Sequence, residues 1–447
     1  INFLILKNMK LRNLMYATMI ACAFASCSKD DVVGPDGPVV AEGDASFAIK
    51  IAQPTKAATD ADISDLTVLV FNGWQSASTG ITLEKKATVD GNVTEVTQTK
   101  LTPGNKTVLV LANAKTEVAS FTEGATTLQN VLDATTTFQV LSETVGNFSM
   151  NSKAYEVTLQ ASVTNYLGYG LDGQAAGNYL AQAGTEPVKM YRNVAKILLT
   201  SIKIKEEVDK GYQYPKATLR VTELFVLHGH NTSKLVGADA AEWGTTNVDG
   251  HYVSGVSADT YKEYLKGVNE TNKIFSYLAD PESNYAHAPE LATTIVGADY
   301  SPIVVSKDAP YAPKADYKTF YTYENTASTT DEIQTLLVIK GDFSYDGIKP
   351  GETEVSRMTE KDRYYSFAIG TTSTIDLKNL DANLIALRGG AENIKGVLRN
   401  LQYETSVTIA GPGYKTPFGP KGGDDTFLDV KVKVVDFGRV IQDVEIE

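Results

Sequence analysis

The chain has 447 residues, a net charge of −13 and a hydrophobic content of 43%. That length holds about two or three domains with real cores, and the acidic balance argues against nucleic acid as a partner and against charge-driven binding to anionic lipid. Its two cysteines, Cys22 and Cys27, both fall in an N-terminal apolar stretch, so the rest of the chain has no disulfide and depends on packing and strand pairing. Tyr (23) far outnumbers Trp (2), and Thr and Val are abundant, which favours strands.

Met9 reads as the start, with residues 1–8 as upstream sequence. Lys10 and Arg12 then precede the apolar run LMYATMIACAFA. About a dozen apolar residues fall short of the ~20 that span a bilayer, so the run reads as a secretion signal occupying 1–26. It ends in F-A-S-C, and a cysteine behind small residues at that place resembles the lipobox of bacterial lipoproteins. There Cys27 would be freed, acylated and used as a membrane anchor. The following SKDD resembles the short Lys-acidic-acidic tag that sends lipoproteins of Bacteroidales-type bacteria to the cell surface. Residues 28–44 are polar and rich in Gly and Pro, a tether.

ASFAIKIAQP (45–54) alternates, with Phe47, Ile49 and Ile51 on one face and Ala48 and Lys50 on the other, the period of a strand. ISDLTVLVFNG (63–73) and KTVLVLANA (106–114) are near-continuously apolar, as in strands covered on both faces. TTLQNVLDATTTF reads as a short helix. YEVTLQASVTNYLGYG and VKMYRNVAKILLTSIKIK are further strands, the second carrying Val194, Ile197, Leu199, Ile202 and Ile204. A second set begins near residue 211 with ATLRVTELFVLHG. Residues 235–330 are Tyr- and Asn-rich with weak periodicity and read as long loops. TLLVIKGDFSY, YYSFAIG, NLQYETSVTIAGPG and FLDVKVKVV follow. The pattern predicts a mainly all-β chain with few short helices, built as two β-sandwich domains over 57–206 and 207–447.

Past the hinge YKTPFGPKGGDD, Leu428, Val430, Val432 and Val434 alternate with Asp429, Lys431 and Lys433, and Phe437 follows. Such a strand on a leash either closes its own sheet or reaches a sheet edge in another molecule. Periodicity does not choose between the two. Elsewhere chemistry-bearing motifs are sparse. His228 and His230 form an H-x-H pair without a third ligand. GGDDTFLD lacks the spacing of a calcium loop, and no nucleophile elbow, phosphate loop or H-E-x-x-H is present. The expectation is therefore no enzyme, no metal and no cofactor. Arg192 and Arg399 are expected to make structural or interdomain contacts.

The lipobox, the early alternating strand, PTKAATD, LTVLVFNG, KTVLVLANA, NYLGYG, YRNVAKI, RNLQYETSVTIAGPG and VKVKVVDF follow one another in order. Together they resemble the FimA-type major fimbrial subunits of Bacteroidales, the type V pilin family, over nearly the whole chain from Met9. The resemblance implies transthyretin-like sandwiches and a surface lipoprotein precursor held in the outer membrane by a lipid (palmitate) on Cys27. It implies that residues 27–56 form a tether and propeptide whose strand, 45–54, fills a groove through Phe47, Ile49 and Ile51. A trypsin-like protease would cut between Lys56 and Ala57, where the family typically has Arg before the cut, so Lys50 stays open as another site. The opened groove would then take the C-terminal strand, about 427–447, of another copy, through Leu428, Val430, Val432, Val434 and Phe437. The implied partners are other copies in a fibre and accessory fimbrial subunits, with a fimbrium on the cell surface as the location. An anchor or tip subunit is the nearest alternative. A glycan-binding surface lipoprotein, with an aromatic platform in the Tyr-rich 251–323, is a third.

Overall fold

Among the described residues, the chain forms strands almost throughout. The computed structural model describes residues 45–51, 63–137, 148–169, 177–183, 187–206, 213–227, 232–237, 303–312, 318–326, 334–371, 375–376, 395–414 and 428–436, all within one compact unit spanning 43–447. In chain order the first elements are β1 (Ala45–Lys50), β2 (Asp65–Asn72), β3 (Leu83–Asp90), β4 (Glu95–Leu101), β5 (Gly104–Ala112) and α1 (Leu128–Asp133). Next come β6 (Thr135–Thr137), β7 (Met150–Asn151), β8 (Tyr155–Leu159), β9 (Thr164–Leu167), β10 (Asn178–Leu180) and β11 (Tyr191–Arg192). The remainder are β12 (Ala195–Ile204), β13 (Thr218–Leu227), β14 (Thr232–Lys234), β15 (Ile303–Ser306), β16 (Lys318–Thr322) and β17 (Leu336–Ile348). The last are β18 (Val355–Ala368), β19 (Ile375–Asp376), β20 (Leu401–Ile409) and β21 (Leu428–Asp436). The fold is all-β.

The first sandwich packs the sheet β10-β9-β1-β4 on the sheet β11-β7-β5-β2-β3, to which β8 adds through β5. Phe47, Ile49, Val96 and Leu167 of one layer meet Leu66, Val68, Val70, Val108 and Val110 of the other. The second sheet is buried on its far face too, where Leu69, Phe71, Leu109 and Leu111 meet Val118, Phe121, Leu128 and Val131. Two buried faces explain why β2 and β5 are almost uniformly apolar instead of alternating. The short helix α1 covers that far face. It starts with a capping box, in which Asn130 N–H donates to Thr127 Oγ1 (3.2 Å) and Thr127 N–H donates to Asn130 Oδ1 (2.9 Å).

A separate core begins at Ala195. Here β16-β12-β20-β21-β19 packs on β15-β13-β17-β18, with Ile197, Leu199, Tyr403 and Val407 against Leu219, Leu337, Ile339 and Phe343. β12 carries a bulge between Leu199 and Ser201 where it pairs with β20. The extra residue, Thr200, lets odd-numbered Ile197 and Leu199 and even-numbered Ile202 and Ile204 all face one core. Within 235–330, read as loops from sequence, β15 and β16 form sheet edges of four and five residues. Strands that short give too little periodicity to be seen in sequence.

Candidate strand-insertion site

β1 is an inner strand. It runs parallel to β9, pairing Phe47 with Asn165 and Ile49 with Leu167. On its other side it runs antiparallel to β4, pairing Ile49 with Val96 and Lys50 with Glu95. Phe47 and Ile49 are 0% exposed and Ile51 is 1% exposed, which places all three sequence-predicted anchors in the core of the first sandwich. Backbone bonds continue past the strand end: Ile51 N–H donates to Thr94 O (2.8 Å) and Val188 N–H donates to Lys50 O (2.8 Å). Without β1, β9 and β4 would both present bare edges along a groove lined by the apolar side chains that now touch it.

The rim of this seat is built by residues that the sequence did not mark. Asn165 is fully buried and its Nδ2 donates to Ser46 O (2.9 Å). Gln98, also buried, donates from Nε2 to Val68 O (3.2 Å) and so ties β4 to the facing sheet. Gly168 has φ +80°, and a Cβ there would lie 2.3 Å from Lys50 O and 2.9 Å from Val188 N. Its signal, the Gly in NYLGYG, was visible, but the close approach it permits was not. On the outer face Lys50 Nζ lies 3.2 Å from Glu95 Oε1 and 5.7 Å from the centre of the Tyr169 ring. Burial, then the charge of Glu95, holds the Tyr169 hydroxyl protonated well above its usual range. Tyr166 stacks on Tyr179 (centroids 5.2 Å apart) and meets the edge of Tyr169 (5.2 Å).

The C-terminal strand sits elsewhere. β21 pairs antiparallel with β20 along its whole length, from Ile409 opposite Leu428 to Leu401 opposite Asp436, with Val430, Val432 and Val434 opposite Val407, Thr405 and Tyr403. β19 borders it on the other side through Ile375 and Asp376. Of the two roles open to this strand, closing its own sheet is the one occupied here, and β1 and β21 lie in different sheets. Cys27, Lys56, Ala57 and Phe437 lie outside the described residues, as do His228, His230 and most of the Tyr-rich 251–323.

A buried charge joins the two sandwiches. Arg399 is 0% exposed and pairs with Glu324, itself 0% exposed. It donates from Nε to Glu324 Oε1 (2.9 Å) and from its terminal nitrogens to Asn193 Oδ1 (2.9 Å), Asn151 Oδ1 (3.3 Å), Ser233 Oγ (2.7 Å) and Lys234 O (2.8 Å). Asn151 belongs to the first sandwich, while Arg399 leads directly into β20 of the second. Beside it, Arg192 N–H donates to Asn400 Oδ1 (3.1 Å). Removing one partner of such a buried pair leaves an uncompensated charge.

Residues 45–192, from β1 through β11, match the family model of the major fimbrial subunit protein FimA. Over that stretch the chain is similar to FimA. It is 27% identical over 435 residues to the major fimbrium subunit FimA type-3 of Porphyromonas gingivalis, covering 95% of this chain and 97% of that one. A FimA type-2 subunit of the same organism is 26% identical over 408 residues, covering 90% and 91%. Among solved structures, a putative cell adhesion protein from Parabacteroides distasonis superposes with TM-score 0.57 at 25% identity, covering 88% of this chain and 99% of that one. A P. gingivalis fimbrilin shares the fold, with TM-score 0.52 at 19% identity over 89% and 98% of the two chains. The FimA-like match begins at Ala45, the first residue of the inserted strand.

Proposed function

We propose that the chain is a structural pilin, the polymerising shaft subunit of a cell-surface fimbria that serves adhesion, assembled by protease-triggered donor-strand exchange. It is a structural protein rather than an enzyme. The observation that carries the reading is β1: a strand from the start of the fold is an inner strand of its sheet, with Phe47, Ile49 and Ile51 in the core. Burying three such side chains is worth roughly 5–9 kcal/mol, comparable to the ~5–15 kcal/mol net stability of a whole domain. β1 therefore does not leave an empty groove behind at equilibrium. A cut between Lys56 and Ala57 frees it, and a strand bearing Leu428, Val430, Val432 and Val434 from a second copy replaces both the burial and the backbone pairing. A head-to-tail contact of this kind does not close on itself and grows into a filament.

In this reading Cys27 carries the lipid that holds the precursor in the outer membrane, and both leave with β1. The processing enzyme is trypsin-like and accepts lysine, and accessory fimbrial subunits complete the fibre. A second reading is favoured by β21, whose full register with β20 suits an anchor subunit that keeps its lipid and its own strands. Limited trypsin digestion of the purified precursor, with N-terminal sequencing and an unboiled denaturing gel, separates them. A new N-terminus at Ala57 with a ladder of resistant oligomers is expected of the shaft. A monomer that retains 45–54, or loses it without polymerising, refutes it.

A further inference from the structure

The outer face of the β1 seat holds a cation. Lys50 stands directly opposite Glu95 across the β1–β4 pair, 3.2 Å from its carboxylate and over the Tyr169 ring at 5.7 Å. Removing β1 leaves a carboxylate and an aromatic face, a complement for another ammonium group. We propose that Glu95 and Tyr169 form a lysine-reading site that fixes the register of the incoming strand, by taking Lys431 of a second copy in the place of Lys50. The proposal rests on the strand exchange above and adds where the donor stops sliding.

The choice of Lys431 follows from the donor's own pattern. With the donor in the direction of β1, Leu428 takes the place of Phe47, Val430 of Ile49 and Val432 of Ile51. Lys431 then falls on Lys50. Asp429 falls on the buried Ala48, where its carboxylate needs a donor, and Ala48 stands opposite the exposed Thr97, whose hydroxyl can donate to it. A slip of two residues puts Val430 where Phe47 was, leaving a larger void in a core that tolerates none cheaply, and brings Lys433 to Glu95 instead. The home sheet makes the same distinction. There Lys433 stands opposite Glu404, an acid, while Lys431 stands opposite Ser406. In register with β20, then, Lys433 already faces an acidic position and Lys431 does not, whereas the groove offers Lys431 the acidic position of Glu95. Lys50 and Glu95 are about half exposed, so such a pair decides register and rate more than affinity.

Cysteine pairs read the register directly, because the sequence after Ala57 contains no cysteine. Residues opposite one another in an antiparallel pair have Cα atoms about 4.5–5.5 Å apart, within the ~4.4–6.8 Å that a disulfide spans. The precursor carrying Glu95→Cys and Lys431→Cys is digested with trypsin, oxidised, boiled and run without reductant. A covalent ladder that collapses on reduction is expected, with none from Glu95→Cys paired with Lys433→Cys. Linkage through position 433, or an unboiled ladder with no covalent link at 431, overturns the lysine site while leaving the shaft reading intact. If the unsubstituted protein forms no ladder, both fall. A charge swap tests the chemistry: Glu95→Lys combined with Lys50→Glu, which keeps the β1 pair matched, should slow ladder growth about two- to fivefold, and adding Lys431→Glu should restore it. Unchanged melting of the undigested variants excludes a folding defect, and failure of the swap to restore growth overturns recognition by charge.

Discussion

Gly168 has a backbone conformation and a neighbour that no other residue type tolerates together. Its φ of +80° costs an L-residue about 1–2 kcal/mol, and the carbonyl of Lys50, 2.3 Å from a would-be Cβ, belongs to β1 itself. Gly168→Ala should therefore lower the melting temperature of the precursor and make 45–51 more accessible to protease, both measurable on the same sample. Arg399 is the opposite kind of residue, a charge held by its surroundings. Arg399→Met leaves Glu324 buried without its ion-pair partner and should cost about 3–5 kcal/mol, whereas Arg399→Met combined with Glu324→Leu should recover much of the loss. Urea unfolding of the single and double variants checks both directions. If the single substitution is harmless, the network is not the joint described here.

At the level of elements, much of the pattern can be read in advance. The alternation of Phe47, Ile49 and Ile51 marks β1, and the unbroken apolar runs of β2 and β5 announce two covered faces, because burial acts on each side chain separately. The switch from odd to even apolar positions after Leu199 stands in the sequence, although only the pairing with β20 shows it to be a bulge. Deleting Thr200 removes the residue left unpaired against β20 and keeps the β20 partners on either side of it. It costs the bond from Thr200 Oγ1 to Thr405 O (2.8 Å). The deletion variant should fold with a melting temperature close to that of the parent. A collapse in thermal stability would show the bulge itself to be required. Pairing partners stayed hidden: Asn165, Glu95 and Gly168 serve β1 from sequence positions 45 to 119 residues away, and no local period encodes so distant a contact. The partner of β21 was hidden for the same reason, since an alternating strand fits any complementary edge.

Across the whole molecule, the proposed assembly makes β1 and β21 the two ends of one exchange, in which the strength of the first would set the pace of the second. Phe47→Ala removes a fully buried ring and should cost about 3–5 kcal/mol of seating. After cleavage such a precursor should release β1 sooner, so a time course of ladder formation on unboiled gels should run ahead of the parent, while uncut protein should melt lower. Equal time courses would mean that strand release does not limit assembly. The Arg399 joint acquires a mechanical meaning in such a fibre. Each subunit is gripped in its first sandwich and grips its neighbour with a strand that leaves the second, so tension on the filament crosses every subunit at the place where Arg399 ties Asn151 and Asn193 to Glu324. Pulled proteins fail according to how fast they open rather than how stable they are at rest. A fimbria with this joint weakened would look intact in still liquid and break under flow.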